Sequence, residues 1–141
     1  MSAPDRPRLV ARWLAFALGD LSSARTLLDQ HRSPFRQAAE LAQQAAEKAL
    51  KGAIVFGGAT PPRTHDLEAL LRLVPSDWGV HALDVDLTRL TDALSHARYP
   101  HYYEPPLDPD EIGRLVADAT AITTAVLDDL ATRGIDRPAP L

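Results

Sequence analysis

The sequence predicts an all-α protein, an antiparallel four-helix bundle with an additional short helix. Three observations predict it. Apolar residues recur at three- and four-residue spacing over five segments. Proline and capping residues stand where those segments begin, and glycine or proline where they end. No segment alternates as a strand would. At 141 residues the chain has room for one domain, expected over residues 1–134, with 135–141 as a flexible C-terminal tail.

The first helix is expected from about Pro7 to Gln30, with Leu9, Trp13, Phe16, Ala17, Leu21, Ala24 and Leu28 as its apolar stripe. The second starts at Ser33-Pro34, an N-cap followed by a first-turn proline, and stops at Gly57-Gly58. Its inward positions are Phe35, Ala38, Ala42, Ala45, Ala49, Leu50, Ala53 and Ile54. Alanine along that stripe lets a neighbouring helix come close, with larger residues on the neighbour filling the space. A short third helix begins at Thr64, carries Leu67, Leu70, Leu71 and Val74, and ends at Pro75. The fourth spans roughly residues 84–99 with Leu83, Leu87, Leu90, Leu94 and Ala97 inward, and Pro100 stops it. The fifth opens on Asp108-Pro109-Asp110-Glu111, an N-cap, a first-position proline and a capping-box glutamate, and Gly134 closes it.

Composition narrows the function classes. The absence of cysteine rules out disulfides, a thiolate metal site and a cysteine nucleophile. A net charge of −4 with no basic block gives no broad attraction to nucleic acid in the monomer, although a local basic groove made on dimerisation stays open. No run reaches the length of a membrane span, and the N-terminal apolar run is broken by Arg12 and Asp20, so a cytoplasmic protein with no membrane contact is expected. Histidines are scattered, Gly57-Gly58 is a helix stop rather than a phosphate loop, and neither a metal nor a cofactor is called for.

Three motifs in order are informative together: LAQQAAEKALKG in the second helix, PPRTHDL before the third, and HARYP at the end of the fourth. In this order and at this distance they resemble the HEPN domain (higher eukaryotes and prokaryotes nucleotide-binding), over about residues 8–132. The resemblance implies a helical bundle that commonly forms a homodimer. It implies one of two roles: partner to a separate minimal nucleotidyltransferase, sometimes as a toxin–antitoxin pair, or metal-independent ribonuclease. The chain lacks the paired-aspartate strand signature of a nucleotidyltransferase, so that enzyme would be a second chain.

Read as residues, Gln43, Gln44, Glu47, Lys48 and Lys51 flank the alanine stripe, and Glu47 and Lys51 can pair across one turn. They are a solvated flank or, as the resemblance suggests, a polar seam against a partner. His65 and Asp66 fall in the first turn of the third helix, where Asp66 suits the dipole and Thr64 suits an N-cap. At the end of the fourth helix, Arg98, Tyr99, His101 and Tyr102 offer either helix capping and an interface, or a guanidinium and aromatic rings for a nucleotide or RNA.

The ribonucleases of the family carry Arg and His with four to six residues between them, Arg stabilising phosphate charge and His moving the proton. Arg25 and His31 have that spacing but lie at the end of the first helix, where the family does not place it. Arg89 and His96 lie on the fourth helix, the right region, on one face and roughly 10 Å apart along the axis. The residue after Arg89 is Leu90 rather than a polar one. Three readings follow: a non-catalytic partner subunit contacting nucleotide or RNA around Lys48, Arg98 and Tyr99, a ribonuclease acting as a dimer through Arg89 and His96, and a purely structural dimerisation module.

Overall fold

A computed structural model describes residues 5–30, 35–100 and 107–141. Five α-helices are found there: α1 (Arg6–Asp29), α2 (Arg36–Phe56), α3 (Leu67–Leu71), α4 (Leu87–Arg98) and α5 (Pro109–Ala131). A 3-10 turn over Gly79–Ala82 joins α3 to α4, and no strand occurs among the described residues. The all-α bundle expected from the periodicity is the observed fold.

The second helix is the centre, packing against α1, α3, α4 and α5. Ala38, Ala42, Ala45, Ala49, Leu50, Ala53 and Ile54 are buried as expected, and Ala39, Ala46 and Val55 extend the buried surface round the helix. α1 runs antiparallel to it, with Asp20 beside Lys48 and Leu14 beside Gly52. On α1, Ala17, Leu21 and Ala24 are buried as expected, but Val10, Leu14 and Leu18 are buried too, Trp13 is partly buried and Phe16 is 41% exposed. Both registers satisfy helical spacing. The cationic groups of Arg12 and Lys48 lie over the Phe16 ring, at 5.5 and 5.8 Å from its centroid, and give it polar company at the surface.

Two helix ends close as glycine permits. Gly58 and Gly134 adopt φ of 90° and 88°, and at each the amide bonds back into the last turn, as does that of the following residue. The start of α5 is also as expected at Asp108, whose carboxylate accepts from the Glu111 amide. The Glu111 carboxylate departs from the capping-box reading and pairs with Arg89. Helix α4 begins three residues later than expected because Asp86 caps it, accepting from the Arg89 amide. Residues 135–141, expected as a flexible tail, return onto the bundle. Ile135 packs on the core, and the Leu141 amide donates to the Ala15 carbonyl at 2.9 Å, close over Gly19 where a side chain would collide.

Trp78, absent from the expected core, is buried between Phe56 and the Arg133 guanidinium, which lies 4.4 Å from a Trp78 ring centroid. The turn after it is held by Asp129, whose carboxylate accepts from the Gly79 and Val80 amides. One buried polar atom among the described residues has no partner, the Thr123 hydroxyl of α5. An unpaired buried hydroxyl costs its desolvation without return, so Thr123→Val is expected to stabilise the protein by about 1 kcal/mol. Thermal denaturation should show a raised midpoint; a lowered one would mean that the hydroxyl has a partner in solution.

Candidate functional site

Three of the five polar residues of LAQQAAEKALKG lie inside the protein, and Gln44 and Lys48 are half-buried. Gln43 is 0% exposed, Glu47 5% and Lys51 9%, so the solvated-flank reading fails for these three. The cause is the central place of α2, whose polar side is covered by the chain between α2 and α3. His65, in that covering segment, approaches Glu47 with Nδ1 2.6 Å from Oε1. Lys51 Nζ donates to the other carboxylate oxygen at 3.1 Å. Gln43 Nε2 donates both to Glu47 Oε1 at 3.3 Å and to the His65 carbonyl at 3.1 Å, while its own oxygen accepts from Gln44 Nε2 at 2.8 Å.

Glu47 is therefore the hub of a latch that holds the His65 segment to α2. Burial pushes its carboxyl up, but hydrogen bonds from His65, Lys51 and Gln43, with the charge of Lys51, outweigh this and hold it below the ordinary carboxylate value. An ionised carboxylate only accepts, so the His65 Nδ1 carries the hydrogen of that contact. His65 precedes α3 rather than sitting in its first turn. The N-cap is Asp66, whose carboxylate accepts from the Glu68 and Ala69 amides. Thr64, expected as the cap, accepts from the Asp66 amide instead, because the carboxylate is the stronger acceptor for the helix end.

Lys48 points the other way, to Asp20 at 2.5 Å and to Phe16. At the far end of α2, Arg98 Nε donates to Glu40 at 2.9 Å, and the Ala97 carbonyl at the end of α4 is capped by Arg36 rather than by Arg98. Tyr99 is exposed; His101 and Tyr102 lie outside the described residues. The structure thus brings Glu47, Lys51 and His65 together and leaves Lys48 and Arg98 in separate ion pairs. Arg36 goes unmarked in the sequence, which offers Arg98 for the cap, while Gln43, named in the seam, joins the latch. For Gln43, its position four residues before Glu47 was the available signal.

Arg89 and His96 line one groove of about 440 Å³ between α4 and α5. Their face borders α5 and stays open to solvent at Arg89, which is half exposed and ion-paired to Glu111 there. Asp86 and Asp92 line the same groove. Arg25, the other arginine with a ribonuclease-like spacing, donates to Thr120 of α5, and His31 lies outside the described residues. No three His, Cys, Asp or Glu side chains gather as a metal site among the described residues, and no described helix is long and apolar enough to cross a membrane.

The fold and the latch define a class: a small helical bundle whose central helix buries a Gln–Glu–Lys seam under a His-Asp turn. The model of the HEPN domain matches residues 10–130, and the chain belongs to that family. The crystal structure of TT1696 from Thermus thermophilus is similar, with 27% sequence identity and a TM-score of 0.71 over 89% of this chain and 98% of that one. No curated protein matches the chain.

Proposed function

We propose that this protein is a non-catalytic HEPN subunit that acts as a homodimer with a separate minimal nucleotidyltransferase, in a toxin–antitoxin-type pair, and contacts nucleotide or RNA. The observation that carries this reading is how the polar groups of α2 and α4 are used. Glu47 is held by Lys51 and His65, and Arg89 is held by Glu111 in a groove that also holds Asp86 and Asp92. A guanidinium that must stabilise a phosphate is disfavoured beside three carboxylates. The ribonuclease reading keeps one point in its favour, that Arg89 and His96 do line a single groove.

Two measurements test this. Tagged protein from its native host is expected to retain a nucleotidyltransferase chain, and capture of none would remove the partner reading. Purified protein is expected to leave RNA intact in the presence of a chelator. Cleavage lost on both Arg89→Ala and His96→Ala would replace the subunit reading with a metal-independent ribonuclease.

A further inference from the structure

The charge of this acidic protein is unevenly spread. Beside the α4–α5 groove with its three carboxylates lies a second depression lined by Glu68, Asp84, Asp86 and Asp118. Cations gather on the other side, along the outer face of α1. Two adjoining depressions there share Leu9 and Trp13 as their common wall. One, of about 370 Å³, is completed by Lys51, Pro61, Pro62 and Arg63; the other, of about 200 Å³, by Arg12 and Phe16. Arg8 is exposed one turn before Arg12.

Aromatic rings and cations alternate along this face. Lys51 Nζ lies 5.9 Å from the Trp13 ring centroid, and Arg12 and Lys48 flank Phe16. Phe16 is a large aromatic left at the surface, although burying it would be favourable. Rings that offer a π-face beside cations that meet phosphate form the pattern that holds single-stranded nucleic acid without base-specific hydrogen bonds.

The geometry points to the outer face of α1 as a docking surface for a single-stranded oligonucleotide, with bases against Trp13 and Phe16 and phosphates at Arg8, Arg12 and Arg63. The acidic α4–α5 side then faces away from the strand. This rests on the nucleic-acid part of the reading above and moves the contact from Arg98 and Tyr99 to α1. It does not depend on a nucleotidyltransferase partner, so retention of that chain and oligonucleotide binding can fail separately.

The test is fluorescence anisotropy with a short labelled oligouridylate titrated with the full chain. Three phosphate contacts predict about twentyfold weaker binding between roughly 50 and 200 mM salt. Phe16→Ala is expected to weaken binding at least about fivefold, the loss of one stacked base. Arg12→Glu should weaken it about tenfold and flatten the salt dependence. Arg72→Glu, the same charge change at the exposed end of α3 and outside the lining of both depressions, should leave binding within about twofold. All three substitutions are at exposed positions, and unchanged melting curves identify folded variants. No binding at the lowest salt, or equal losses for Arg72→Glu and Arg12→Glu, overturns the assignment. So does an α1 variant that disrupts self-association while the parent protein ignores the oligonucleotide, which would make the face a protein interface.

Discussion

Glu47→Ala is expected to destabilise the protein by about 3 kcal/mol, the lower end for breaking a buried ion pair from one side. The carboxylate accepts from Lys51, His65 and Gln43, so its removal leaves the Lys51 ammonium with little water and no counter-charge. It also frees the His65 segment from α2, leaving only the Gln43 bond to the His65 carbonyl. For a chain of this length the midpoint of thermal unfolding should fall by roughly 9 °C. The double change Glu47→Leu with Lys51→Met should recover a large part of that loss, because an apolar pair carries no stranded charge. A single variant within about 0.5 kcal/mol of the parent would show that Lys51 reaches water unaided and that the latch is ornamental.

The same carboxylate makes stability depend on pH in a defined direction. Its folded pKa lies below the ordinary value of 4.5, so the unfolded chain binds the proton more tightly than the folded one. The stabilisation from Glu47 is therefore complete above the unfolded pKa and lost as pH falls through the folded one. Urea midpoints measured from neutral pH downward should fall more steeply for the parent than for Glu47→Ala below about pH 4.5. Other carboxylates titrate in both proteins, and the difference between the two curves isolates this one. Parallel curves would mean that the carboxyl is not perturbed.

The helix ends that carry their own local signal were legible, and the starts of α3 and α4, capped by Asp66 and Asp86, were not. Asp108-Pro109 and Gly134 bound α5, and Gly58 bounds α2, by local backbone chemistry that needs no tertiary information. The alanine stripe of α2 was legible for a similar reason. The edge of the α1 stripe was not: Ala17, Leu21 and Ala24 face inward as expected, but Trp13 and Leu14 lie on adjacent registers and the choice between them falls to packing against α2. The latch was half legible. Glu47 and Lys51 could be paired from their spacing, but their burial depends on a segment eighteen residues further on, where His65 folds back over them. Periodicity reports one helix at a time, and a seam buried by a loop has the pattern of a solvated flank. The Arg89–Glu111 pair was hidden likewise, because it crosses between two helices.

Gly52 is where the close approach implied by the alanine stripe is most severe. A β-carbon there would stand 2.3 Å from Leu14 Cδ2 and 3.3 Å from Trp13 Cβ. Leu14 is fully buried, so its methyl has no open space to swing into, and the Trp13 Cβ is fixed to the α1 backbone. Alanine at position 52 would gain about 1 kcal/mol of helix propensity against an overpacking cost of roughly 2 kcal/mol, and the net loss is small. Valine gains less propensity and adds two methyl groups to the same gap, so Gly52→Val is expected to cost about 3 kcal/mol. Leu14→Ala alone should cost about 2–5 kcal/mol through the cavity it leaves. Combined, the two should cost clearly less than their sum, because the valine occupies the space that Leu14 vacates. Chemical denaturation of the parent, both single variants and the double variant measures this coupling. Strict additivity would mean that α1 and α2 do not meet at this point, and with it would go the reason for a glycine in the middle of the central helix.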